Sequence, residues 1–346
     1  VAMFNAELSR WRDAGRPGDL DAFLVDDGLR IAWSRDLKGE LKHERPLAFD
    51  ATKIRTAEYR PFSERHVYFD RVLNEEVYGL GSIFPTVVGS PGDFLICVTG
   101  PGSDKPFVAL AANRIVDFHL VGGGCTSQCF PFFVYDQDGS NRRENITDWA
   151  LAEFQRHYRD DTIAKWDIFH YVYAVLHHQE YRERYAANLK RELPRIPYAP
   201  DFWGFAKAGA RLADLHVNYE QQPDSPLQRI ENPKEMIDFR VEKMRLGKDK
   251  TAIVYNRFLT LSGIPPEVFE YRLGNRSALE WIIDQYQVST DKRSGITNDP
   301  NRPDDPEYIV RLIGQVITVS LETVKIVNGL PELGLAPAIA ASMTEA

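Results

Sequence analysis

Hydrophobic and polar positions alternate along this chain in three textures. Residues 4–15 place Phe4, Leu8 and Trp11 at helical spacing, and Gly15 with Arg16-Pro17-Gly18 ends the run. LRIAW at 29–33 reads as a short strand, and the charged run at 34–45 as a solvated helix or loop. From Phe49 to about Tyr135 the pattern changes to short β-type runs broken by Gly and Pro: HVYFD, SIFPTVV, DFLICVTG, FVALAA, RIVDFHLV and FPFFVYD. A polar stretch then leads to Thr147, a cap for a helix through Phe154 and Tyr158.

The third texture is helical. Lys165–Pro197 has no internal Gly or Pro before Pro194, and Trp166, Phe169, His170, Tyr173, Leu176 and Leu189 recur at helical spacing. Arg182, Arg184, Lys190 and Arg191 make its second half basic, so the block predicts a scaffold helix or a broken pair of helices. Asp201 caps the next helix, where Gly204, Ala208 and Gly209 permit close approach of a neighbour. Residues 221–249 read as an irregular excursion, and strand signals return in TAIVYN and RFLTL. A helix over 278–286 can be capped by Asn275 or Ser277, and a last one by Asp305 with Pro306 at its first position. The prediction is α+β: a β-rich module followed by a helical scaffold with a second small strand pair near 251–272. As domains this gives a linker or end of a preceding domain over 1–48, a β-rich module over 49–160, a scaffold over 161–330, and a flexible tail over 331–346.

Composition narrows the function classes. The 346 residues, 43% hydrophobic and 27% charged, are ordinary for a globular chain of two domains, or of one domain with a large appendage. No run of about 18 apolar residues could span a bilayer, no secretory leader opens the chain, and three cysteines form no closed disulfide framework, so the cytoplasm is expected. The start Val1-Ala2-Met3 reads as that of a fragment of something longer. A net charge of -8 confines any nucleic-acid contact to local basic faces.

Enzyme signatures are missing. An amino-methyltransferase needs Asn or Asp followed by Pro-Pro and an aromatic ring, and neither Glu231-Asn232-Pro233-Lys234 nor Ile264-Pro265-Pro266-Glu267 supplies it. No phosphate-cradling G-x-x-x-x-G-K-[ST] loop occurs. Gly122-Gly123-Gly124-Cys125 reads as a tight turn. Cys125 and Cys129, with Cys97 and His119, leave open a metal-assisted site near Gly122–Cys129. His177 and His178 are adjacent and cannot chelate as an i, i+4 pair would, which makes them core or interface histidines.

Basic residues in polar loops are the remaining candidates. Arg60, Arg65, Tyr68 and Arg71 surround the turn at Pro61-Phe62, a composition suited to phosphate and base-edge contacts. Arg60 has a second reading, a guanidinium satisfying buried carbonyls at that turn. Asn141, Arg142 and Arg143 sit in the loop before Thr147, where Asn could read adenine and Arg guanine or phosphate, or where the loop is merely solvated. Lys292 and Arg293 form a third group, weakened by Asp291, Asp299, Asp304 and Asp305.

Four long segments in order resemble one family. YRPFSERHVYFD at 59–70, SQCFPFFVYDQDGSNRRENITDWAL at 127–151, the 165–197 block and EYRLGNRSALEWIIDQYQVSTDKRSGITNDPN at 270–301 are similar to the C-terminal part of type ISP restriction–modification enzymes, over about 49–330. The first and third segments are also similar to target-recognition regions of related fused methyltransferase–nuclease enzymes. The resemblance implies a large polypeptide carrying nuclease, helicase-like ATPase, adenine-N6 methyltransferase and target-recognition domains, of which this chain matches the last. It implies double-stranded DNA as partner, together with the methyltransferase and motor domains of the same polypeptide. S-adenosylmethionine, ATP and Mg would then serve the parent polypeptide, with no cofactor in this part. A structural coupling or oligomerisation domain built on the helix at 165–193 is the further alternative.

Overall fold

Short apolar runs and side-chain caps account for most of the secondary structure. The computed structural model describes residues 1–335 other than Gly28, Glu76, residues 86–92, Gln137 and Arg293. At the N-terminus the helix Ala2–Asp13 presents Phe4, Leu8 and Trp11 to Leu37 and Leu41 of the helix Arg35–Lys42. Ser34 caps that second helix, accepting from the Leu37 N–H at 3.2 Å, and Trp33 completes a separate small core. The strand expected over 29–33 does not form; Asp27 and Ile31 meet only as an isolated bridge, because the helices recruit Trp33.

Two small sheets follow. Ile54–Arg60 and Ser63–Tyr68 make an antiparallel hairpin, and Ala57 and Glu58 pair in parallel with Ile115 and Val116. Leu95–Thr99 lies between Ala109–Ala112 and Ser127–Pro131, antiparallel to both. LICVT and ALAA lack polar alternation because both of their faces are buried. Leu95, Cys97, Leu110 and Ala112 enter one core, while Ile96, Val98, Ala109 and Ala111 enter the other. This sheet is therefore the wall between two cores. The SIFPTVV run, expected as a strand, begins within a short helix Leu80–Ile83 and continues into residues outside those described.

The core behind Ile96 and Val98 is made by the helices Lys165–Val175 and Phe202–Val217. Asp201 caps the latter, accepting from the Gly204 N–H at 2.8 Å, and Gly209 faces the His170 carbonyl. The 165–197 block breaks into three pieces, Lys165–Val175, Gln179–Arg184 and Ala186–Leu189. Its basic half is partly turned inward: Arg182 Nε donates to the Leu176 carbonyl at 2.6 Å.

The core behind Leu95 and Cys97 is completed by the last third of the chain. Four strands in the order Arg245–Leu246, Ala252–Val254, Leu259–Ser262 and Gln228–Glu231 form an antiparallel sheet, larger than the expected strand pair. Hairpins at Arg272–Leu273/Arg276–Ser277 and Ser289–Thr290/Thr297–Asn298 flank the helix Ala278–Gln285. Tyr308–Asn328 is the long terminal helix; Glu307 precedes it, and the expected cap Asp305 instead pairs with Arg311 at 2.5 Å. Residues 331–335, expected within a flexible tail, are held: Leu333 is buried, and the Pro331 carbonyl lies 3.1 Å from His178 Nε2. The rest of that tail, 336–346, is outside the described residues. The α+β prediction holds, with helices packed around several small sheets.

Ser277 closes a reciprocal capping box, accepting from the Glu280 N–H at 3.2 Å while Glu280 accepts from the Ser277 N–H at 2.8 Å. Because Ser277 is fully buried, Ser277→Ala is expected to cost about 1–2 kcal/mol in urea unfolding. A loss below about 0.3 kcal/mol would show that the cap is not formed in solution.

Candidate nucleic-acid interface

The Pro61-Phe62 turn is pinned from beneath. Phe62 has φ +58, is 1% exposed, and packs edge-on against Tyr219 with ring centroids 5.1 Å apart. Glu58 is buried below it and accepts from the backbone N–H groups of Phe62 and Ser63. The hairpin tip is thus a rigid mount.

Three of its four predicted contact residues, Arg60, Arg65 and Tyr68, are engaged with their own chain. Arg60 pairs with Asp117 at 2.9 Å and stacks over the Tyr59 ring at 4.0 Å. Arg65 donates to the Glu64 carbonyl at 2.9 Å and the Gln285 carbonyl at 3.3 Å, and its guanidinium also lies over Tyr59. The Tyr68 hydroxyl accepts from the Asp50 N–H at 3.1 Å, and its ring stacks on Phe49. Arg71 is exposed and lines a cleft of about 970 Å³ between the N-terminal helices and the hairpin.

That cleft gathers cations from separate parts of the chain. Arg35, Lys53 and Arg55 join Arg71 along its walls, with His43, Asp36 and Glu40 beside them. Lys53 pairs with Asp70 at 2.5 Å, and Arg55 donates to the Phe84 carbonyl. Sequence reasoning missed Arg35, Lys53 and Arg55, since Arg35 lies in a run that reads as solvated and nothing local relates it to residues 53–71.

The second group is prefolded around one carboxylate. Phe133–Val134 pairs with Arg143–Glu144; Arg143 donates to Asp136 at 2.6 Å and Asn141 donates to it at 3.3 Å. These hydrogen bonds, Arg143 first, hold the Asp136 carboxyl below its ordinary range. Asn141 takes φ +54, and Arg142 lies 3.6 Å over Phe133 and 3.4 Å from Asp93. Asp93 itself accepts from the Tyr135 hydroxyl at 2.6 Å. The loop adjoins the cleft, because the Tyr135 N–H bonds the Ser82 carbonyl and Gly139 abuts Pro85, both cleft residues. Lys292 is exposed in the hairpin after the 278–285 helix, and Arg293 is outside the described residues.

At Gly122–Cys129 the tight turn forms, with Gly122 at φ +98 and Gly124 at φ +78. The strands bring Cys97 opposite Cys129, and His119 Nδ1 lies 2.7 Å from the Cys125 carbonyl. Among the described residues no group of three or more His, Cys, Asp or Glu side chains could hold a metal ion, so the metal-assisted alternative finds no donor set there. His177 is a core residue, 2% exposed, with Nδ1 2.9 Å from the Tyr173 carbonyl. No described helix is long and apolar enough to cross a membrane.

Known proteins give the context. The Type ISP C-terminal specificity domain matches residues 1–312, which adds the N-terminal core to the expected span. A nuclease-deletion mutant of the Type ISP restriction–modification enzyme LlaGI, solved with a DNA substrate mimic, is 36% identical with a TM-score of 0.82 over 96% of this chain. The ATP-dependent Type ISP enzyme LlaBIII, bound to DNA, is 31% identical with a TM-score of 0.82 over 95% of this chain. DrdV in complex with DNA is 34% identical with a TM-score of 0.81 over 96% of this chain. This chain spans 30%, 21% and 33% of those chains, respectively. No curated protein matches. With the profile covering nearly the whole chain and the fold shared at these identities, the chain belongs to the Type ISP C-terminal specificity domain family.

Proposed function

We propose that this chain is the DNA target-recognition unit of a larger restriction–modification polypeptide and supplies no catalytic group of its own. The observation that carries the reading is a specificity-domain fold shared with three proteins solved with DNA or a DNA mimic. In that polypeptide, nuclease, ATPase and adenine-N6 methyltransferase domains would use Mg, ATP and S-adenosylmethionine, in the cytoplasm. Phosphates would meet the cleft cations Arg71, Lys53, Arg55 and Arg35, and the duplex would be read from the hairpin bearing Arg60, Arg65 and Tyr68 and the loop bearing Asn141, Arg142 and Arg143. Lys292 and Arg293 would add an outlying contact.

An overall charge of -8 repels the duplex, so binding depends on these local cations and on low salt. Fluorescence anisotropy of the 346-residue chain with a labelled duplex of about 30 bp tests the reading. We expect affinity to fall steeply with salt, and Arg71→Ala to weaken it several-fold while lowering the salt slope by about 1. An absence of duplex binding at about 50 mM salt would overturn the assignment.

A further inference from the structure

Tyr78 stands between two cavities. One side belongs to the cation-lined cleft of about 970 Å³; the other opens on a pocket of about 490 Å³ formed with Leu80, Ile83, Val116, Phe118, Ser127 and Gln128. Tyr78 is 73% exposed, and its backbone takes φ +45, a left-handed conformation unfavourable for a bulky residue. Phe118 is 41% exposed, and the two ring centroids are 6.3 Å apart at an interplanar angle of 34°. Two exposed aromatic rings thus meet beside apolar lining from Leu80, Ile83 and Val116, with the polar residues Ser127 and Gln128 also lining the pocket.

That combination matches a nucleobase, which has an apolar face for stacking and a polar edge for hydrogen bonds. The pocket also adjoins the Ile54–Arg60/Ser63–Tyr68 hairpin. Val116 pairs with Glu58, and Phe118 follows Asp117, the partner of Arg60. Backbone phosphates held by Arg71 and Lys53 in the cleft would leave an adjoining base beside Tyr78.

We propose that the Tyr78–Phe118 pocket receives one unstacked nucleobase of bound DNA, with Tyr78 as the stacking platform and Ser127 and Gln128 at the base edge. The proposal rests on the DNA-binding reading above and goes beyond it, since phosphate grip alone needs no such pocket.

Two duplexes of identical flanking sequence separate the possibilities, one fully paired and one carrying a single extrahelical 2-aminopurine. The 346-residue chain is expected to bind the bulged duplex about tenfold more tightly and to quench the 2-aminopurine emission. Tyr78→Ala should abolish that ratio while leaving paired-duplex affinity within about twofold, and Tyr78→Phe should keep it. Equal affinity of the unmodified chain for both duplexes, or a ratio that Tyr78→Ala leaves unchanged, overturns the pocket and spares the DNA-binding reading. Binding to neither duplex overturns both.

Discussion

Gly209→Ala is expected to destabilise the fold by roughly 3 kcal/mol, although the same change at an open helical position gains about 1 kcal/mol. The Lys165–Val175 and Phe202–Val217 helices approach so closely here that an added Cβ would lie 2.6 Å from the His170 carbonyl carbon, nearer still to its oxygen, and 3.2 Å from the Ala174 nitrogen. The obstacle is backbone on both counts, so no rotamer change relieves it. Separation of the helices is opposed on three sides. Tyr171 stacks on Phe202 with centroids 5.1 Å apart, the Tyr173 hydroxyl meets His216 Nδ1 at 2.5 Å, and the same hydroxyl accepts from the Ala111 N–H at 2.8 Å. Moving either helix would break the buried Tyr173–His216 bond, and moving the first would also break the bond that ties Tyr173 to the central sheet. Gly39→Ala is the control, since nothing lies within 4 Å of a Cβ at that helical position; it should gain up to about 1 kcal/mol. Urea unfolding of both variants gives opposite signs if the two backbones are this close. A Gly209→Ala protein as stable as the unmodified chain would mean that they are not.

The contrast between Gly209 and the 165–197 block shows what the sequence can reveal. Small residues at 204, 208 and 209 mark a close approach because their effect is local to one helix face. Thr147, Asp201 and Ser277 announce their helices for the same reason, each accepting from an N–H three residues on. The break after Val175 carries no such signal. It is set by partners distant in sequence or across the break: Arg182 takes the Leu176 carbonyl, and His178 reaches Pro331. Asp305 fails as a cap because Arg311 captures its carboxylate, and Gln228–Glu231 was invisible as a strand because every one of its residues is exposed. The same limit applies to the candidate interface. Guanidinium groups at 60 and 65 were legible as residue types, yet their partners Asp117 and the Gln285 carbonyl are supplied by other elements. The cleft joining Arg35 to Arg71, and the pocket joining Tyr78 to Phe118, exist only after the N-terminal helices and the strand Ile115–Val116 have docked on the hairpin.

Stability should also carry a pH signature from beneath that hairpin. Burial, as the largest influence, pushes the Glu58 carboxyl up to about 7, against the opposing pull of Arg114 and the backbone N–H groups of Phe62 and Ser63; nearby Glu220 adds to the rise. The folded state therefore holds this proton more tightly than the unfolded chain does. Its favourable contribution is complete below about pH 4.5 and is lost as pH rises through about 7, a difference on the order of 3 kcal/mol. Buried His177 and His216 act in the opposite direction: desolvation holds both below the ordinary imidazole range, His216 down to about 3, so they favour the fold above about pH 6.5 and disfavour it in acid. The two effects overlap in the unmodified chain, and a single stability profile does not separate them. Glu58→Gln does, because the histidine contributions cancel in the difference between the two proteins. Chemical denaturation should find the variant matched to the parent near pH 5 and more stable by roughly 2–3 kcal/mol near pH 8. Tyr219 and Tyr286, which feel the Glu58 charge, stay protonated throughout that window, their hydroxyls pushed above the ordinary tyrosine range by burial. A difference between the two proteins that does not change from pH 5 to pH 8 would show that Glu58 is already ionised in the fold, and that the rigid Pro61-Phe62 turn is held by a charged acceptor.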